Sequence, residues 1–586
     1  MTTLRPERLN WWLIGGFWLL LCAILASRYL LQADTVPLHG DTDDAMRMVT
    51  AMDLWHGQPW QDLIEHRDNV PFGASMHWSR LVDAPIAALM AGLAPIVGVA
   101  AAPNAAAIVW PLLLLLPLLI LAVAVTRVLL PQAGAVTALG LSGLNIVLTI
   151  EFSPGRVDHH NVQILLTQAT LLVLLTLRRR LGGGLLAGLL VATSLAIGME
   201  TLPPALAAIA AYALCWVADP AGHRNALIAF AVSVAACTTG HFLLATEPSL
   251  YFVAACDALS ITYVAAMGLG ALALAVAAIV ASRLGLWPRL AVAVGLGVVA
   301  VAITAWLYPQ CLAGPYAGVD PRVLSRMFGD IAEAQPLWER LALTPAVAIS
   351  FTFSILLAVP LTAWRAVSVE GEQRVNWLIV LGLLVAASLV MIFQFRGARL
   401  AASLALPAAA WVIAGARQRY LARATAATTA ALIGSWLLFC TLPQYFVLAA
   451  GSMLIGQARA AVGEAQLSSQ TCLLESSFAK LAAVPAGRVA APIGLSSHIL
   501  RYTPHSVLSA GFHRNAQSII DSLDFFAGGD EARAKQIVKD RGLTYVVTCN
   551  ASGETGQIGP TPGSLWSWLT PLSAPGDVLQ IYRIVQ

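Results

Sequence analysis

The sequence predicts an all-α polytopic membrane domain of about thirteen transmembrane helices, followed by a small external α/β domain at the C-terminus. Three observations carry this reading. Of 586 residues, 58% are hydrophobic and only 11% are charged, with a mean hydropathy of +0.75. That is too little charge to solvate a water-soluble chain of this size. Apolar runs of roughly 20 residues, the length that crosses a bilayer, recur as far as residue 448. Beyond 450 they stop, and short β-like segments alternate with helical ones. The net charge of +3 gives no reason to expect a nucleic-acid partner.

In order, spans are expected near 11–32, 103–130, 132–151, 161–178, 182–199, 202–218, 224–246, 258–281, 287–308, 343–364, 376–394, 398–415 and 424–448. The first is too long, and followed by too many others, to be a cleaved signal peptide. Lys and Arg in the short loops set the orientation. With Arg5 and Arg8 inside, the inside loops hold Arg178 to Arg180, Arg224, Arg283 with Arg289, Arg365 with Arg374, and Arg417, Arg419 and Arg423. The outside loops are poorer in basic residues, apart from 309–342. Residues 84–100 are apolar enough to cross. A crossing there would separate Asp158 from Asp41 and reverse the basic bias, so we expect a helix lying in, or partly entering, the outer leaflet. The reading is thus a transmembrane domain over 1–450, with external loops 33–102 and 309–342, and an external domain over 451–586. In the latter, Val546-Val547 and Ile581-Tyr582 read as strands, and Asp530 to Arg541 as a polar helix closed by Gly542, a good C-cap residue. Cys472 and Cys549 either pair in an oxidising compartment or remain free thiols.

The scarce charges gather in three islands, all expected on the outer face. The first is Asp41-Thr42-Asp43-Asp44, followed by Arg47. Acids this close repel unless a cation or Arg neutralises them, although Asp also suits a helix N-terminus. The second is Asp158-His159-His160, where one span gives way to the next. Asp158 and His160, two apart on a turn, can reach one ion, and mixed carboxylate and imidazole ligation with open positions suits Mn²⁺ or Mg²⁺ serving a phosphate. The third is Asp330-Ile331-Ala332-Glu333, where Glu333 either serves the site or caps a helix entering the membrane.

The islands and their order resemble the catalytic subunit of oligosaccharyltransferases, a GT-C glycosyltransferase family. Pro71, Gly73, Trp78, Leu81 and Asp83 approximate its P-x-G…W-x-x-L-x-D stretch, and Gly155, Asp158, His159 and His160 its G-x-x-D-H-H form. Ile331-Ala332-Glu333-Ala334-Gln335-Pro336 resembles its loop motif ending in Glu. The resemblance covers roughly 1–450. The family's W-W-D-Y-G motif, which reads the acceptor sequon, is absent; Thr503-Pro504-His505-Ser506 and Phe512-His513-Arg514-Asn515 look more like the external domain of bacterial GT-C proteins.

The resemblance implies a GT-C fold in a bacterial inner membrane, with the N-terminus cytoplasmic and the C-terminal domain periplasmic. It implies transfer of a sugar or glycan from a polyprenyl-phosphate-linked donor to an acceptor glycan, lipid or protein, assisted by a divalent metal. Asp43 or Asp44 would match the first acid, with Asp41 less favoured. Asp44, Asp158 and His160 would hold the metal, Glu333 would be the loop glutamate, and His159 and Arg47 are further candidates. Arg396 and Arg399 lie where the family keeps an Arg near the donor phosphate, which a guanidinium can grip bidentately. The rivals are oligosaccharyl transfer to protein, a lipid-linked glycan transporter or flippase, and a metal-free polysaccharide polymerase or ligase. A transporter would place its polar groups near the bilayer midplane, whereas here the span centres are nearly free of charge.

Overall fold

The structure, a computed structural model, describes residues 10–131, 135–316, 318–455, 470–527, 529–550, 558–559 and 564–585. Among these, ten helices are long and apolar enough to cross a membrane by length and composition. Every run expected to span meets a helix, with three departures. The run at 132–151 breaks into Ala135–Gly143 and Ile146–Glu151, where the Asn145 side chain accepts from the Val147 and Leu148 amides and starts the second piece. The last run is bent by 82° between Ala426–Phe439 and Thr441–Gly451. The runs at 161–178 and 182–199 form the shorter helices His160–Thr176 and Leu181–Ile197, of 17 residues each.

Residues expected to lie in the outer leaflet belong to the helix Arg80–Val97, which is itself long and apolar enough to cross. Its first turn is polar and buried through Arg80 and Asp83, and it packs on Thr42–Trp55 and Ala102–Leu129. Phe395–Ala422 is the most enclosed of the long helices. Its buried residues include Ala401, Ala402, Ala405 and Ala408 to Ala410, small side chains that let neighbouring backbones approach closely. Leu286–Leu307 keeps nearly all of its apolar surface outward, as a lipid-facing helix does.

The first interspan loop carries its own structure: the helix Thr42–Trp55 and a two-stranded antiparallel pair, β1 (Ile64–Glu65) with β2 (Ala74–Ser75). The C-terminal part is α/β. Strands β3 (Arg488–Ala490), β4 (Ser506–Val507), β5 (Tyr545–Cys549), β6 (Leu569–Pro571) and β7 (Leu579–Ile584) form one sheet in the order β4-β3-β5-β7-β6. The first three are parallel, joined through helices at Ile493–Tyr502, Ala516–Phe526 and Glu531–Arg541; β7 and β6 return antiparallel. Helix Glu531–Arg541 ends on Gly542 in the left-handed region, at φ +61°. Cys472 and Cys549 are disulfide-bonded, and a second bond joins Cys256 to Cys311.

The chain boundary near 450 does not divide the packing. Met46, Val49, Met76 and Trp78 of the first loop share one core with Phe478, Val489, Ile499, Phe512 and Val547. Hydrogen bonds stitch the parts together: the Val507 amide donates to the Arg67 carbonyl at 2.7 Å, and the Ala510 amide to the Asp68 carboxylate Oδ1 at 2.9 Å.

Candidate active site

The site is built on a turn. Ser153 to Asp158 links the helices Ile146–Glu151 and His160–Thr176, and Gly155 lies against the first loop with φ +88°. A Cβ there would stand 1.7 Å from the Leu38 carbonyl oxygen, so only glycine fits. Asp41 caps the helix Thr42–Trp55 and, with Asp43 and Asp44, brings the first island onto this turn.

Asp44 is fully buried, and both its oxygens are engaged. Oδ1 accepts from the Val157 and Asp158 amides at 2.8 and 2.9 Å, and Oδ2 from Arg156 at 2.5 Å. Burial pushes its carboxyl up to about 7, against the pull of Arg156. Expected to touch a metal, Asp44 instead braces the turn that carries Asp158. Asp43, one residue earlier, faces the cavity. Burial first, then the negative charge of Asp41, Asp158 and Glu333, holds its carboxyl well above the usual range. Asp41 is only part-buried and accepts from Arg156 at 3.2 Å.

Asp158 is the hub. Its Oδ1 accepts from His159 Nδ1 at 2.6 Å and from Arg47 at 3.3 Å, while its Oδ2 lies 3.2 Å from His160 Nε2 without forming a hydrogen bond. Burial opposes its charge, but His159 and His160 overcome this and hold the carboxyl well below normal. Burial likewise opposes charge on His159, yet Asp158 and Glu200 push it up to about 10. Arg47 is buried, donates to Asp83 at 2.8 Å, and lies 4.2 Å over the Trp78 ring. Trp78 and Asp83, noted as motif residues, therefore position Asp158 through Arg47.

The third island docks from the other side. The Arg396 amide donates to the Glu333 carbonyl and the Phe395 amide to the Gln335 carbonyl, both at 2.9 Å. Glu333 pairs with Arg399 at 2.5 Å and Arg396 at 3.6 Å, and these two guanidiniums overcome burial to bring it down to about 2. Arg396 also reaches Glu200, and Arg399 reaches Glu151 at 2.8 Å. Arg396 lines the cavity and retains a buried Nε with no partner. The Asp330 side chain lies outside the described residues.

Asp43, His159, His160, Glu333 and Arg396 thus face one cavity of about 390 Å³. Sequence reasoning missed Glu200, which sits at 2.9 Å from His160 Nδ1 and 3.2 Å from His159 Nε2. Its signal was a single acid in the Gly198-Met199-Glu200-Thr201 break between two apolar runs. Arg156 and Glu151 were missed as braces. Asp257, Tyr316 and His513, which also line the cavity, were missed as site residues, His513 having been read only as part of the Phe512-His513-Arg514-Asn515 stretch.

The residues fit a divalent cation. Asp158, His159 and His160 offer ligand atoms within 4.8 Å of one another, and Asp158 keeps one buried oxygen unbonded. A carboxyl such as Asp43, crowded by other anions, gains most from a nearby cation.

No protein-family model matches the chain, and no curated protein does. Solved structures do. The archaeal oligosaccharyltransferase AglB from Archaeoglobus fulgidus, in complex with an inhibitory peptide and a dolichol-phosphate, superposes with a TM-score of 0.65 at 14% identity, over 92% of this chain and 70% of that one. The same organism's oligosaccharyltransferase tethered to an acceptor peptide containing the NVT sequon gives 0.62 at 15%, over 92% and 69%. Its complex with Zn and sulfate gives 0.61 at 13%, over 91% and 68%. At this identity the likeness is one of fold: the chain has the GT-C fold of the oligosaccharyltransferase catalytic subunit.

Proposed function

We propose that this chain is a membrane glycosyltransferase that moves a sugar or glycan from a polyprenyl-phosphate-linked donor, with a divalent metal, Mn²⁺ or Mg²⁺, held by Asp158 and His160. The observation that carries the reading is the convergence of three polar islands, far apart in sequence, on one cavity beneath an oligosaccharyltransferase-like fold. The neighbours' complexes with a dolichol-phosphate and an acceptor peptide support a lipid-linked donor and favour a polypeptide acceptor over glycan or lipid. With the W-W-D-Y-G run absent, an acceptor peptide would be read by other residues of the C-terminal part.

When bound, the metal supplies Lewis acidity to a leaving phosphate. The chain's own residues do the rest. Arg396 offers its unpartnered Nε–H to the phosphate, and Glu333 holds Arg396 and Arg399 in place. Asp43 orients the acceptor and takes its proton as the bond to the anomeric carbon forms. Arg47 and Asp44 keep Asp158 fixed, so that little reorganises during reaction. One disulfide adjoins the cavity residue Asp257 and the other lies in the C-terminal part, whereas Cys22, Cys215, Cys237 and Cys440, all on or beside apolar helices, are unpaired. This supports an oxidising compartment, the periplasm of a bacterial inner membrane, for the active face.

The test incubates the purified full chain with polyprenyl-diphosphate oligosaccharides and a library of fluorescent peptides, with Mn²⁺ or with EDTA. Metal-dependent appearance of glycopeptide is expected. Consumption of no polyprenyl-linked donor under any metal condition defeats the proposal.

A further inference from the structure

A second constellation lines the same cavity, and the transfer reading gives it no task. His77 comes from the first loop, Asp257 from the segment before helix Ile261–Val280, and His513 from the C-terminal part. They offer ligand atoms within 4.8 Å of one another, and all three line the cavity. The His513 Nε2 is 2.7 Å from Asp257 Oδ2, and the rings of His77 and His513 are 4.9 Å apart. The neighbouring Arg514 grips Asp257 through Nε at 2.7 Å and a terminal nitrogen at 2.9 Å. The Cys256–Cys311 disulfide fixes the chain at the residue before Asp257.

We propose that His77, Asp257 and His513 form a second metal site, suited to Zn²⁺ and separate from the Asp158 site. An ordinary His–Asp–Arg network accounts for Asp257, Arg514 and one ring nitrogen of His513. It leaves His77 Nδ1 buried and without a hydrogen-bond partner, and such orphans call for an explanation. A cation among the three side chains would give the His77 imidazole a partner. Two imidazoles with one carboxylate, and a fourth position open to a cavity, are the donor set of catalytic zinc sites. It is a softer set than one built mainly of carboxylates. Arg514 then acts as the outer partner that orients a ligating carboxylate. The ion would present its open position to an oxygen donor of a bound ligand, and it would tie together three segments that meet nowhere in sequence.

The proposal stands apart from the transfer reading, and zinc alone tests it. The full chain in detergent is incubated with Zn²⁺, desalted, and its metal counted by mass spectrometry. The Asp158→Asn/His160→Ala variant is expected to retain about one zinc per chain, and adding His513→Gln to lose it. Zinc absent from the first variant, or retained equally by the second, overturns the site. If the double variant fails to fold, the native chain decides. Its zinc X-ray absorption should show imidazole nitrogen at about 2.0 Å, with His513→Gln lowering the zinc count by one. An unchanged count and spectrum in His513→Gln defeat the proposal. Loss of the Asp158 ion alone touches only the transfer reading.

Discussion

Asp43 and Asp44 are neighbours on one helical turn, yet the packing separates their roles. Asp43 faces the cavity, while Asp44 is spent on the Val157 and Asp158 amides and on Arg156. Asp43→Asn, which keeps the shape of the side chain but removes its capacity to accept a proton, should leave thermal stability nearly intact and cut glycan transfer by roughly 100-fold or more. Asp44→Ala should do the reverse in stability, costing about 1–3 kcal/mol by stranding the two amides. Paired melting curves and transfer assays separate them, and equal effects on both quantities would refute the division. Away from the cavity, Asp68 is buried with only the Asn69 and Ala510 amides on its Oδ1, and burial pushes its carboxyl up to about 7 despite them. The folded chain therefore holds a proton that the unfolded chain, near 3.9, has released. Stability from this group is fully present below about 4 and is lost as pH rises through 7. Asp68→Asn keeps an acceptor for both amides, so it should melt higher than wild type at pH 8 and equal it near pH 4. A stability difference independent of pH would show the assignment to be mistaken.

The islands were legible at the level of short segments because a charge is conspicuous in an apolar chain. Asp158-His159-His160 and the turn before it stood out for this reason, as did the polar helix closed by Gly542. What escaped was any contact made by a lone residue with distant partners. Glu200 meets His160 across 40 positions, and His513 meets Asp257 across 256. No local periodicity marks such pairs. The break at Asn145 and the bend after Phe439 were also hidden, because hydropathy averages over the polar atoms that interrupt a helix. The Ser153–Asp158 turn is the element on which the site depends. Gly155→Ala places a methyl against the Leu38 carbonyl in a backbone region unfavourable to alanine. The turn should shift as a unit, lowering Mn²⁺ affinity and transfer together while the remaining helices hold. Circular dichroism with Mn²⁺ titration checks this, and unchanged affinity would mean that the turn tolerates the displacement.

At the scale of the whole molecule, the division into membrane helices and an external part describes the chain order better than the packing. The first loop is held by both, and Arg541 is the fastener. It is buried, pairs with Asp521 at 2.6 Å through a terminal nitrogen, and donates to Asn69 Oδ1 and the Val70 carbonyl at 3.0 and 3.1 Å. The loop it holds carries His77 and Trp78, and Trp78 supports Arg47 and so Asp158. Lysine cannot make these bonds together, because a point charge lacks the planar fork. Arg541→Lys should therefore destabilise the folded chain by about 1–3 kcal/mol, because Asp521 keeps Arg533 while the buried acceptors of Asn69 and Val70 lose their donor. It should also weaken metal binding at Asp158, although Arg541 belongs to the α/β part and Asp158 to the turn between the helices Ile146–Glu151 and His160–Thr176. Thermal unfolding and Mn²⁺ titration of one preparation read both effects. If stability falls while metal affinity stays at the wild-type value, the two parts are joined in sequence but not in function.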